Sequence, residues 1–141
     1  MRRIARRNFD DDRGQAALIV LMLAVFFLLL LGLVSDGGLL LSQRRDLQGL
    51  ADGAARAGAA AIDPSTVRTG YVPQIDPAVA QTQISRYLAA AGFSGSAQVS
   101  PTPAQVRVEL SGTYSLAFAK LVGIGSATLH ATSTSDPIPS G

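Results

Sequence analysis

His130 is the single histidine of the chain and Glu109 the single glutamate, so acid–base or hydrolytic chemistry would have to be assembled around groups such as these. His130 stands among threonines in an alternating stretch with no carboxylate near it in sequence. That setting favours a structural histidine over a general base. Gly123-Ile124-Gly125 is too short and wrongly placed for a dinucleotide loop and reads as a turn. There is no cysteine, which removes disulfides and thiolate metal sites. No nucleophile is paired with a base, no two carboxylates are coupled, and no three ligands share a spacing. The expectation is therefore no catalytic residue, no metal, no cofactor and no small-molecule substrate. Of 12 basic residues, all but Lys120 are arginine, and they gather mainly at the N-terminus without interleaved aromatics. Nucleic-acid binding has little support from that arrangement.

The segment Ala16 to Val34 is uncharged and apolar throughout. As a helix it is roughly 28 Å long, close to the hydrocarbon thickness of a bilayer. A buried helix of a soluble protein seldom stays apolar on every face for five turns. A cleavable secretory signal has an apolar stretch of only ~7–15 residues; this run is longer, and Ser35-Asp36-Gly37 is a poor cleavage site. An uncleaved anchor is expected. Arg2, Arg3, Arg6, Arg7 and Arg13 precede the run and only Arg44 and Arg45 follow closely, which predicts a cytoplasmic N-terminus and an extracytoplasmic C-terminus in a cell membrane.

Beyond the span, Leu39 to Ala61 holds no proline and is rich in good helix formers, so the helix is expected to continue or resume outside the bilayer, with Gly37-Gly38 as the place for a bend. Leu40, Leu47, Ala54 and Ala61 recur every seven residues, with Leu50 and Ala57 between them, and Gly49, Gly53, Ala57 and Ala61 recur every four. Small residues at that spacing let two backbones approach. Two occupants of this surface stay open: the protein's own C-terminal domain, or another membrane-anchored subunit.

Asp63-Pro64 predicts the end of the long helix and a loop through Pro73. Asp76-Pro77 then supplies an N-cap and a first-turn proline for a helix with Ala80, Ile84, Tyr87, Leu88 and Ala91 on one face, closed by Gly92. Alternation places Ala97 and Val99 with Val106, Val108 and Leu110 on one side of an antiparallel pair, Leu116 to Val122 forms a short helix, and a last strand carries Ala127, Leu129 and Ala131 on one face. The fold class expected is α+β: a long N-terminal transmembrane helix extending outside the membrane, then a small domain of helix, antiparallel strands, short helix and strand. The Pro77–Ala91 helix is the available cover for the sheet. The expected division is a basic cytoplasmic tail over 1–13, the span over 14–35, an extracytoplasmic alanine-rich helix over 36–63 and the small domain over 64–141.

Arg13-Gly14-Gln15 before the apolar run, Asp36-x-Gly38 after it, and then Leu47-Gln48-x-x-Ala51-Asp52-x-Ala54-Ala55-x-Ala57-Gly58-Ala59 together resemble the bacterial Flp pilus-assembly TadE/TadG-like family, over roughly residues 13 to 62. The resemblance implies a pilin-like, non-enzymatic component of the tight-adherence system, acting in pilus assembly, adhesion or secretion. On it, Arg13, Gly14, Gln15, Asp36 and Gly38 are the anchor motif. Leu47, Gln48, Gly49, Asp52, Gly53, Ala55, Ala57 and Gly58 form the candidate partner-packing helix, and the partners implied are the lipid bilayer and other assembly subunits or a second copy. Pilin relatives are processed after a glycine with glutamate five residues on; Ile19 holds that position after Gly14, so the anchor is expected to be retained. The alternative function is an anchored or secreted extracytoplasmic binding module unrelated to pili, which would need a pocket in the C-terminal domain.

Overall fold

The structure, a computed structural model, describes residues 9–68 and 72–137. Arg2, Arg3, Arg6 and Arg7 lie outside them, as does the side chain of Arg13. The first element, α1 (Phe9–Ala59), is a single helix of 51 residues that runs without interruption through the apolar segment, Gly37 and Gly38 and into the alanine-rich stretch. It is long and apolar enough to cross a membrane, and every residue from 14 to 31 is exposed. Such an uncovered apolar cylinder is stable only in an apolar surrounding.

Past Ala59 the chain turns sharply, Ala61 donating to the Gly58 carbonyl at 3.1 Å. Residues 62 to 75 are clipped shut at their base: Ile62 bridges Ile75, the Asp63 amide donates to Gln74 and the Asp76 amide to Ala61, each at 2.8 Å. Within that clip lies a short helix, α2 (Pro64–Arg68), where the sequence predicted only loop. Pro64 takes the first helical position and the Asp63 carboxylate accepts the Ser65 amide at 2.8 Å. That backbone hydrogen bond, with a second from the Ser65 side chain, holds the Asp63 carboxyl below its ordinary pKa.

Helix α3 (Pro77–Ala90) starts as expected, the Asp76 carboxylate accepting the amides of Ala78 and Val79. It buries Ala80, Ile84 and Leu88, and Gly92 follows its cap with φ of 68°, a left-handed conformation that favours glycine. Three antiparallel strands, β1 (Ser96–Pro101), β2 (Val106–Ser115) and β3 (Ser126–Ser135), make a sheet in the order β1-β2-β3. Ala97 pairs with Leu110 and Val99 with Val108, while Leu110 also pairs with Ala131 on the other side. The pleat puts Val106, Val108 and Leu110 in the core and leaves Arg107 and Glu109 outside, where they form an exposed 2.8 Å ion pair that contributes at most about 1 kcal/mol.

The cover of this sheet differs from expectation. The long helix α1 lies across β2 and β3, and α3 packs on α1 and on β1 at the side. Ala51, Ala54, Ala55 and Ala59 are fully buried in α1, together with Leu47, against Ile84, Val106, Val108, Leu110 and Ala131. Alanines let the helix axis approach the sheet closely, so the surface that reads as a helix–helix seam also fits a pleated face. The full burial of Leu47, Ile75 and Ile84 stabilises the domain by about 1.5–3 kcal/mol each.

Candidate functional site

The direction of the strands sets the geometry of the functional end. Val106, at the start of β2, lies beside Gly58, since a Cβ on Gly58 would come within 3.2 Å of the Val106 side chain. Residues 117–119, just beyond the end of β2, meet α1 at Asp36. Asp36 to Gly58 is about 33 Å of helix at 1.5 Å per residue, and the ten residues of β2 span about the same length at 3.3 Å each. The strand therefore descends alongside the helix toward the apolar segment. The β2–β3 connection is the end of the domain nearest that segment.

At that end Asp36 is 4% exposed, the single buried charged residue among those described. Its carboxylate accepts three backbone amides: Phe118 at 2.8 Å and Ala119 at 2.7 Å on one oxygen, and Ala117 at 3.3 Å on the other. Ala119 opens a short 3-10 helix, Ala119–Val122, so the carboxylate satisfies donors that a helix start leaves without intrahelical partners. The charge is thus solvated by backbone dipoles in place of water, the condition for burying it. One turn below, Gly32 is also buried, and a Cβ there would come within 2.5 Å of the Phe118 ring. Only a glycine lets the ring lie on the helix backbone.

Of the anchor motif, Asp36 has this defined role. Gly14, Gln15 and Gly38 are exposed, and a Cβ on Gly14 or Gly38 would meet nothing. Along the alanine-rich helix the residues divide by face. Leu47, Ala55 and Gly58 are buried, Gly53 lies under the Tyr87 ring, and Gly58 lies under Ile84. Gln48 donates to Asp52 at 3.1 Å and to the Thr132 carbonyl at 3.1 Å, joining α1 to β3. Ala57 is partly buried, and Gly49 faces open space. His130 stands exposed on β3. A broad hollow beside Leu50, Phe93, Ser94, Ser111 and Tyr114 holds no charged side chain.

Gly32 and Phe118 were not singled out as a pair by sequence. A signal was present: Gly32 is the lone glycine of the apolar run, and Phe118 the lone aromatic of the β2–β3 connection.

Residues 14–61 match the family model described as "Putative Flp pilus-assembly TadE/G-like", the segment that carries the Asp36 junction and the helix covering the sheet. No curated protein and no solved structure matches the chain.

Proposed function

We propose, from a TadE/G-like segment that continues directly into a folded domain, that the protein is a non-enzymatic, membrane-anchored component of Flp/Tad-type pilus assembly or secretion. On this reading residues 1–13 are a cytoplasmic tail, 14–35 cross the bilayer, and the alanine-rich helix over 36–63 and the domain over 64–141 stand outside. The arginines ahead of the span support that orientation. A periplasmic-active reporter fused after residue 141 should be active and a cytoplasmic-active one silent; the reverse pattern would overturn the orientation.

The observation that carries the partner reading is the face of α1 left uncovered by its own domain. Gly38, Ser42, Arg45, Gly49 and Arg56 are all exposed and, at 100° per residue, fall on one side of the helix. Gly38 and Gly49 hold that side low enough for another helix to approach. Packing against partner subunits, or against a second copy, is assigned to this side. Gly49→Leu should leave the monomer folded, since residue 49 is exposed, a Cβ there meets nothing within 4 Å and helix propensity improves by about 1 kcal/mol. It should nevertheless weaken cross-linking in the membrane between residues 38–49 and assembly subunits. Cross-linking as strong as in the parent protein would remove this face as the partner surface.

A further inference from the structure

The β2–β3 connection, residues 116–125, is built unlike a water-facing turn. Phe118 is 41%, Leu121 71% and Ile124 56% exposed, and the connection carries a single charge, Lys120. An exposed apolar cluster at the tip of a hairpin calls for a surface to cover it.

Three features of the connection identify that surface as lipid. The first is continuity. Phe118 and Ala119 line one hollow with Phe26, Leu29, Leu30 and Leu33 of α1, so the tip overlaps the last turns of the apolar segment and its exposed side chains extend the same apolar belt. The second is backbone closure. Asp36 takes the amides of Ala117, Phe118 and Ala119. Leu116 donates to Gly125, Leu121 to Phe118, Gly123 to Lys120, and Ile124 to Ala119. A backbone immersed where water is scarce must bond its amides internally, whereas a solvated turn has no such need. The third is the placement of Lys120, exposed on the 3-10 helix, whose aliphatic stem can lie along the apolar belt while its ammonium reaches the phosphate layer.

We infer that residues 116–125 are a second membrane-contacting element: the hairpin tip sits in the headgroup and upper acyl region of the leaflet on the domain's side, with Leu121 and Ile124 in lipid and Lys120 at the phosphates. This rests on reading 14–35 as a bilayer span, and the test separates the two.

The chain has no tryptophan, so single replacements are clean probes. Full-length Phe26→Trp, Leu121→Trp, Ile124→Trp and Val79→Trp proteins would be reconstituted separately in phosphatidylcholine vesicles, with and without lipids brominated in the upper acyl chain, to reach the tip, and near the chain end, to reach Phe26→Trp at mid-span. Val79 is exposed on α3, at the end of the domain remote from Asp36. Leu121→Trp and Ile124→Trp should emit at shorter wavelength than Val79→Trp and lose at least half their intensity to brominated lipid, while Val79→Trp is unaffected. If Phe26→Trp is quenched but the two tip tryptophans behave like Val79→Trp, the tip is out of the bilayer and the inference falls alone. A blue-shifted but unquenched tip would mean that protein covers it, which also overturns the proposal. An unquenched Phe26→Trp would remove the span itself, and the inference with it.

Discussion

Asp36→Ala is expected to release the β2–β3 connection from α1. Three backbone amides lose an ionised acceptor at once, and hydrogen bonds to charged groups contribute about 1.5–3 kcal/mol each. The three share one carboxylate, so their contributions do not add; a net loss of about 3–5 kcal/mol is expected, because the orphaned amides lie beside an apolar helix. Leu116 and Ala119, the apolar residues buried in the connection, are not part of the core cluster around Leu47, Ile84 and Leu110. Loss of protection should therefore concentrate at Ala117, Phe118 and Ala119. Asp36→Asn keeps an acceptor oxygen but also presents a donor to donors, and should fall between wild type and alanine. Hydrogen exchange in detergent micelles, with urea unfolding beside it, reads both quantities. Unchanged exchange at 117–119, or a loss below about 1 kcal/mol, would show that the carboxylate does not hold the connection.

Gly58→Leu is expected to unfold the domain while leaving the apolar segment inserted. A Cβ at residue 58 would already lie 2.6 Å from the Ile84 Cδ1 and 3.2 Å from the Val106 Cγ1, and both residues are fully buried. Overpacking a closed core typically costs about 1–3 kcal/mol per forced fit. A leucine adds three further carbons with no free volume, so the loss should reach or exceed the upper end of that range. The gain in helix propensity of about 1 kcal/mol is too small to offset it. Limited proteolysis of membrane fractions should find Gly58→Leu degraded back to the span and Gly49→Leu intact. Equal resistance of the two variants would mean that α1 does not form the sheet's cover.

The elements whose boundaries rest on local chemistry were legible in the sequence. The alternation of Val106, Val108 and Leu110 places β2 on the sheet face it occupies, and Asp76-Pro77 places the start of α3 within a residue. What escaped is non-local or short. The five residues of α2 are too few to display a helical period. The alanines from Ala51 to Ala59 announce close approach without naming what approaches, and the sheet supplies β2 and β3 from residues some fifty or more positions later. Only the family resemblance marks Asp36 as a motif residue. Its acceptor role depends on amides 81 to 83 residues away, and nothing in the Asp36-x-Gly38 spacing points to them.

The unbroken course of α1 also has a mechanical meaning. The helix is at once the piece in the membrane and the backbone of the domain, and the Asp36 junction ties the returning hairpin to it at the point where the two regions meet. Between span and domain there is no universal joint. A tilt or axial rotation imposed on the span by neighbouring helices would be delivered to the domain as the same angle, and a tilt would displace the domain in proportion to the roughly 35 Å of helix from Asp36 to Ala59. Torque applied to the span would thereby re-aim the domain without any change in its internal structure.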